Sequence, residues 1–228
     1  MARAGIVMST TPAQKRETSR QLRRRCTEDL GPDCHRNPFS TSRVRPGAVP
    51  YCFPPGHGAR DLVRRLRDGG WWGQIIGPHG SGKSALVAAL VPAVEHAGRR
   101  TILVGLHDGQ RRLGVDLRSP PAADASTLLI VDGYEQLGRL SRFRLKRFCR
   151  RRGIGLLVTA HRSVGLPELF RTATSVELAR RVVARLLGEQ STLITPEDVA
   201  ERFSRNDGDL RETLFDLYDL YEDRRRRV

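Results

Sequence analysis

Lysine is scarce in this chain, although positive charge is not. Of 40 lysine and arginine residues only Lys15, Lys83 and Lys146 are lysines, which leaves 37 arginines. Arginine presents a planar fork of donors, whereas lysine presents a compact point charge. A lysine retained in such a chain therefore indicates a position where a compact ammonium group is needed.

Other features are missing as well, and each absence excludes a class of protein. No apolar run is long enough to cross a bilayer, and residues 1–8 lack the apolar region of a secretory signal. The four cysteines contain no Cys-x-x-Cys pair, so no common zinc site is expected. The sequence predicts a cytoplasmic protein with free thiols and no membrane partner.

One of the three lysines lies in a glycine-rich segment that fits the pattern G-x-x-x-x-G-K-[ST]. The segment consists of Gly77, Pro78, His79, Gly80, Ser81, Gly82, Lys83 and Ser84. Glycines let such a loop fold into a concavity of backbone N–H groups that binds phosphate oxygens, and the following helix adds its positive end. Lys83 is predicted to reach the β- and γ-phosphates, and the Ser84 hydroxyl to bind Mg²⁺.

The flanking sequence has the order that this motif needs. Residues 71–76 are predicted to form a strand that runs into the loop, and residues 84–96 an apolar helix that leaves it. Further apolar strands are predicted at 101–106, 127–132, 155–159 and 174–178. Continuous apolar runs favour a parallel sheet covered by helices on both faces.

Polar residues at two of these strand ends are candidates for the reaction chemistry. Asp132 follows four apolar residues, where a carboxylate can hold Mg²⁺. Glu135 can orient or deprotonate an attacking water. Thr159 and Arg162 would face the γ-phosphate if their strand lies between the loop strand and the Asp132 strand.

Composition and pattern divide the chain into three parts. Residues 1–42 are rich in arginine, serine, threonine and proline, and disorder is predicted there. Residues 43–178 form the α/β core, which includes a short helix at 59–67. Residues 179–228 form an α-helical domain with helices at 179–187, 196–203 and 209–223.

These residues resemble the AAA+ and related P-loop ATPases of the ASCE division over about residues 44–223. Gly77–Ser84 resembles the Walker A motif, residues 128–132 resemble Walker B, and Thr159 falls at the sensor 1 position. The resemblance implies a three-layer α/β/α P-loop NTPase fold with a mainly parallel five-stranded sheet and a small α-helical lid. It also implies ATP and Mg²⁺ as cofactors, with ATP hydrolysis as the reaction.

The resemblance extends to two arginines and departs from the family at one position. Arg211 looks like the sensor 2 arginine of the lid, and Arg171 lies where a finger to a neighbouring subunit can occur. Most members have Asp-Glu at the end of Walker B, whereas this chain has Asp132, Gly133, Tyr134 and Glu135. That form resembles the STAND branch of signalling ATPases, and it bears more on hydrolysis than on binding.

Three functions compete at this point. The first is an Mg²⁺-dependent ATPase that acts as a nucleotide-driven switch or assembly factor. The second is a DNA-associated loader or transposition helper, suggested by the net charge of +15, the basic residues 142–152 and the basic tails. A solvated surface in which arginine replaces lysine throughout the chain is the favoured explanation of the charge. The third is a nucleotide-binding scaffold with little hydrolysis. A homo-oligomer or a protein partner is compatible with each.

Overall fold

A six-stranded sheet forms the centre of the protein. The computed structural model describes residues 6–8, 37–45, 47–106, 109–114, 123–188 and 193–227. The strands are β1 (Ile6–Met8), β2 (Trp72–Ile76), β3 (Arg100–Gly105), β4 (Thr127–Asp132), β5 (Gly155–Ala160) and β6 (Glu168–Arg171). Their order in the sheet is β1-β3-β4-β5-β2-β6. Strands β2 to β6 are parallel, and β1 pairs antiparallel with β3 at the edge.

Helices cover both faces of this sheet. The helices that cover the sheet are α2 (Ala59–Asp68), α3 (Lys83–His96) and α4 (Arg139–Arg152), whereas the short helix α1 (Thr41–Val44) packs through Val44 on the apolar cluster of the C-terminal helices. Alternate residues of the buried strands point to opposite faces. Ile130 and Leu157 pack with apolar residues of α2 and α3, whereas Val131 and Val158 pack with apolar residues of α4. The result is the three-layer α/β/α fold of the P-loop NTPases, as predicted.

A separate apolar cluster holds the three C-terminal helices together. They are α5 (Val176–Leu187), α6 (Pro196–Arg205) and α7 (Leu210–Arg225). The cluster includes Phe39, Val183, Val199 and Leu217. Thr195 and Asp198 form a reciprocal capping box at the start of α6, the N-cap that such a Thr-Pro-Glu-Asp sequence favours. The domain boundaries stay a prediction from sequence.

The structure corrects one predicted strand. Residues 174–178 do not form the fifth parallel strand, because the Ser175 hydroxyl accepts a hydrogen bond from Leu178 N (3.2 Å) and caps α5. The fifth parallel strand is β6, which has only four residues, of which Leu169 and Phe170 are buried. A strand this short carries too little apolar periodicity to stand out in the sequence.

Two parts of the N-terminal 42 residues have defined structure, so disorder is wrong for them. Residues 6–8 form β1, and Asn37 donates hydrogen bonds to Tyr218 O and to the Glu222 carboxylate, each at 2.9 Å. Residues 1–5 and 9–36, with Cys26 and Cys34, lie outside the described residues. No helix within the described ranges is long and apolar enough to span a membrane.

Candidate phosphate-binding site

The glycine loop connects β2 to α3, and each of its glycines has a local reason. Gly80 and Gly82 adopt left-handed backbone conformations, with φ of +61° and +84°, and Gly82 is the N-cap of α3. A Cβ atom on Gly77 would overlap with the Thr172 hydroxyl and lie 2.7 Å from the Thr172 carbonyl oxygen. The loop sequence is therefore dictated by backbone geometry and by close packing against the chain that follows β6.

Ser81 fastens the loop to this neighbouring segment. Its side chain is buried, its hydroxyl donates to Pro78 O at 2.8 Å, and it is hydrogen-bonded to the Thr172 hydroxyl at 2.7 Å. Pro78 and His79 are exposed at the mouth of the loop, and Ser84 is half-buried in the first turn of α3. Ser81 therefore holds the shape of the loop through its side chain, while Ser84 keeps its predicted place beside the helix N-terminus.

Lys83 is the first residue of α3, and its side chain folds back over the loop. Its Nζ donates hydrogen bonds to Gly77 O at 2.8 Å and to Pro78 O at 2.7 Å. Burial lowers the pKa of the Lys83 ammonium, and the carboxylates of Glu135, Asp132 and Asp209 raise it in part. The ammonium group thus donates its hydrogen bonds to neutral carbonyl oxygens, and anionic phosphate oxygens could replace these as acceptors.

Asp132 and Thr159 meet because β5 lies between β2 and β4, as the sequence hypothesis required. Thr159 is fully buried, and its hydroxyl donates to Asp132 Oδ1 at 2.5 Å. The same hydroxyl accepts a hydrogen bond from Gly133 N at 2.9 Å. Thr159 therefore fixes the predicted metal ligand through one carboxylate oxygen.

Local structure explains the glycine at position 133, where most of the ATPases that the sequence resembles carry glutamate. Its φ is +80°, and a Cβ atom there would lie 2.8 Å from Leu106 O. This tight turn leads into a single 3-10 turn, Tyr134–Gln136, which carries Glu135 to the site. The side chain of Arg142 donates to Glu135 O at 2.6 Å and anchors that turn. The first acidic residue after Asp132 is therefore Glu135, and its role as the catalytic carboxylate stays a prediction.

Glu135 has one oxygen engaged and one free among the described residues. Its Oε1 lies 2.9 Å from His161 Nε2, whereas Oε2 is buried with no hydrogen-bond partner in the described structure. The other ring nitrogen of His161, Nδ1, lies 3.4 Å from Lys83 Nζ. The imidazole of His161 therefore stands between the loop lysine and the candidate catalytic carboxylate.

The helical lid reaches the loop through Asp209. This residue is the N-cap of α7, and its Oδ1 accepts hydrogen bonds from Arg211 N at 2.8 Å and Glu212 N at 3.1 Å. Its Oδ2 lies 3.9 Å from His79 Nδ1, and the ring of His79 stacks on that of His161 at 4.8 Å between centroids. The lid, the loop and the end of β5 are therefore in direct contact.

Three arginines that the sequence suggested as site residues have exposed side chains. The Arg211 side chain is exposed and lies over the Phe215 ring of its own helix at 5.7 Å. Arg171 pairs with Glu168 at 2.6 Å within β6, and Arg162 is exposed. The sensor 2 role of Arg211, the finger role of Arg171 and the phosphate role of Arg162 stay predictions.

Sequence reasoning missed three residues that shape the site: His161, Asp209 and Thr172. A signal was available for His161, because it follows Thr159 by two residues and side chains two apart along an extended chain point the same way. Asp209 was readable as a helix N-cap but not as a neighbour of the loop. Thr172 gave no local signal, since its role depends entirely on packing against Gly77.

Comparison with known proteins adds a likeness of fold. No family model matches the chain, and no curated protein matches it either. Among solved structures it is similar to NtrX from Brucella abortus in complex with ADP, at a TM-score of 0.55 and 13% sequence identity, over 92% of this chain and 57% of that one. NtrX in complex with ATP gives a TM-score of 0.51 at 12% identity, over 89% and 56%.

The chain has the three-layer α/β/α fold of the P-loop NTPases. It spans less than two thirds of NtrX in both comparisons. At this level of identity the likeness concerns the fold, and the chemistry has to be argued from the site itself.

Proposed function

We propose that this chain binds ATP with Mg²⁺ and hydrolyses it as a nucleotide-driven switch or assembly factor. The observation that carries the proposal is the half-buried Lys83 ammonium, folded over a glycine loop at the start of α3 and facing the carboxylates of Asp132 and Glu135. Such a loop binds phosphate oxygens with backbone N–H groups and with the lysine. The ADP- and ATP-bound states of NtrX, which shares the fold, support adenine over guanine.

The residues around the loop fit a nucleotide with its metal. The Ser84 hydroxyl and the Asp132 carboxylate are both half-buried, and they would hold Mg²⁺. When bound, the metal would neutralise charge on the β- and γ-phosphates. Thr159 keeps Asp132 oriented, and Glu135 presents as general base for water an oxygen that is buried and has no hydrogen-bond partner in the part of the chain that the structure describes.

Nucleotide titration tests the binding half of this proposal. Lys83→Ala removes charge-assisted hydrogen bonds worth about 1.5–3 kcal/mol, so we expect ATP·Mg²⁺ affinity to fall by about 10- to 150-fold. Lys146→Ala is the matched control, because Lys146 on α4 also donates to a backbone carbonyl, Val164 O at 3.0 Å, and burial also lowers its pKa. Equal affinities of the two variants, or no heat of binding for the unsubstituted chain, would refute the proposal.

Turnover tests the hydrolytic half. Glu135→Gln keeps the shape of the side chain but cannot accept a proton, so we expect kcat to fall by about 10²- to 10⁴-fold with nucleotide affinity preserved. If the chain binds ATP without measurable turnover, it is the nucleotide-binding scaffold instead. Slow but measurable hydrolysis would indicate an assembly factor of the STAND type. A homo-oligomer or protein partner stays a prediction.

A second candidate function, contact with DNA, is favoured by the surface of α4. This helix contains eight basic residues and no acidic residue. Arg144, Arg147 and Arg151 are exposed at helical spacings that place them on one face, close to the exposed side chains of Leu140 and Phe143. Arginines that contact phosphates together with an aromatic ring that stacks on a base suit single-stranded DNA.

The salt dependence of DNA binding distinguishes a specific site on α4 from nonspecific attraction of DNA to a basic protein. Substituting Arg144, Arg147 and Arg151 by alanine should weaken binding to a single-stranded oligonucleotide and flatten the dependence on salt by about 0.7 per lost contact. The matched control replaces Arg60, Arg64 and Arg67, which are exposed on α2. Equal losses in the two triple variants would refute a site on α4 and leave nonspecific attraction.

A further inference from the structure

His161 lies at the point where the loop lysine and the candidate catalytic glutamate approach each other. Lysine Nζ is only a donor and an ionised carboxylate only an acceptor. His161 Nδ1, at 3.4 Å from Lys83 Nζ, must therefore accept, and Nε2, at 2.9 Å from Glu135 Oε1, must donate. One neutral tautomer, protonated at Nε2, satisfies both contacts.

His161 contacts Glu135 in the same way as Thr159, two residues earlier, contacts Asp132. Thr159 at the end of β5 holds Asp132 at the end of β4. Two residues further on, His161 holds Glu135, three residues beyond Asp132. The two neighbouring strand ends are thus joined by two successive bridges, one to the predicted metal ligand and one to the predicted base.

The environment of His161 keeps its ring in this orientation. The ring of His79 stacks on it with an interplanar angle of 19°. The Arg142 hydrogen bond fixes the backbone of Glu135 from the other side. With Oε1 engaged by His161, the oxygen of Glu135 that remains for a water molecule is Oε2, which is buried and unpartnered among the described residues.

We propose that His161 is the positioning residue for Glu135 and links it to Lys83. This inference rests on the proposed function. The Glu135 carboxylate accepts a proton from the attacking water at Oε2, while the water oxygen forms its bond to the γ-phosphorus. The bond from that phosphorus to the β–γ bridging oxygen breaks, and ADP retains the electron pair. His161 neither gives nor takes a proton in this step, and it fixes the direction of Oε2.

Steady-state kinetics on a set of variants tests this role. His161→Ala should lower kcat by about 10- to 100-fold, because small displacements of a catalytic group are costly, with KM changed by about twofold or less. His161→Gln should recover most of the loss, since its amide can donate to the carboxylate. His96→Ala, which removes an exposed imidazole at the end of α3 opposite to the loop, is the control and should change kcat by about twofold at most.

A double-mutant cycle shows whether His161 acts through Glu135. In a Glu135→Gln background, His161→Ala should have no further effect on kcat, because the group that it positions is gone. An equal loss in both backgrounds would overturn the proposal, as would a rise in KM with kcat unchanged. Failure of His161→Gln to recover activity would overturn the hydrogen-bonding explanation.

The tautomer of His161 gives a readout that does not depend on turnover. Nitrogen-15 NMR of the imidazole, assigned with His161→Gln, should show protonation at Nε2 in the nucleotide-free protein and a changed Nδ1 signal in Lys83→Ala. Protonation at Nδ1 would refute the bridge even if ATP is hydrolysed normally. An Nε2 tautomer in a chain without turnover would overturn both the hydrolytic function and the positioning role, while the bridge itself would stand.

Discussion

The contact between Gly80 and Asp209 makes a prediction whose size follows from the structure. Gly80 has φ of +61°, so an alanine there costs about 1–2 kcal/mol from left-handed backbone strain alone. Its Cβ atom would also overlap with the Asp209 carboxylate and lie 2.8 Å from Oδ2. Moving that carboxylate away breaks the two hydrogen bonds that cap α7, which costs about 0.5–2 kcal/mol more.

A background that lacks the carboxylate separates these two effects. Asp209→Gly removes the side chain, and glycine at an N-cap costs only a few tenths of a kcal/mol relative to the better caps. In that background Gly80→Ala should retain the strain of about 1–2 kcal/mol and lose the rest. The coupling between the two positions is therefore expected to be about 0.5–2 kcal/mol.

Urea unfolding of the nucleotide-free protein, followed by circular dichroism, measures each free energy. Gly98→Ala is the matched control, because Gly98 has φ of +84° with nothing within 4 Å of an added Cβ atom. It should cost about the same with and without Asp209→Gly, since only backbone strain is involved. If Gly80→Ala also costs the same in both backgrounds, Asp209 does not lie against the loop and the lid contact is wrong.

Two further predictions concern groups outside the loop. Burial raises the pKa of Asp198, but hydrogen bonds from Arg224 and Thr195 lower it further, so the net pKa is below the usual value. Its stabilising contribution is therefore present above the unfolded pKa of about 3.9 and lost as the pH falls through the folded value. Asp198→Asn should destabilise the protein by about 1–3 kcal/mol at pH 7, and this cost should decrease as the pH falls below the unfolded pKa. Glu201→Gln, in an exposed pair with Arg205, should cost about 0.5 kcal/mol or less. A cost of Asp198→Asn that does not change with pH would contradict the ion pair with Arg224. Burial raises the pKa of Cys149 to about 12, so a chain in which Cys26, Cys34 and Cys52 are serine should not react with a thiol reagent at pH 8 until it is unfolded. The control that retains Cys52 instead of Cys149 should react while folded, because Cys52 is half-buried, and rapid labelling of native Cys149 would contradict its burial.

The elements that were predictable from sequence are those whose signal is local. The strands that became β2 to β5 were placed to within a residue or so, because a strand buried on both faces needs a continuous apolar run. The glycine loop was recognised from its sequence pattern and Asp132 from the apolar run that precedes it, and the roles of both stay predictions. Residues 174–178 misled because β-branched residues suggested a strand, while the deciding feature was the Ser175 cap.

The rest of the site could not be predicted because it depends on contacts between distant segments. Gly77 is adjacent to Thr172, and Gly80 to Asp209, only after β6 and the lid have packed on the loop. From the sequence, Gly133 appeared only as a departure from the Walker B pattern. The structure shows that a Cβ atom at this position would lie too close to Leu106 O. The sequence showed which residue types were present, whereas the fold determined which of them meet.

The scarcity of lysine can now be judged against the two lysines that the structure describes. Lys83 and Lys146 are both half-buried, both donate to backbone carbonyl oxygens, and burial lowers the pKa of both. Arg147, which follows Lys146, and Arg144, two positions before it, are both exposed. Donation from a half-buried side chain to backbone carbonyl oxygens is therefore common to both lysines, and Arg142 makes the same kind of contact with Leu137 O and Glu135 O. That condition holds at Lys146 without any phosphate motif, so the lysine alone does not identify a phosphate site. What distinguishes Lys83 is the combination of a left-handed glycine loop, a helix N-terminus and two facing carboxylates, and it is this combination that the Lys83→Ala and Lys146→Ala comparison isolates.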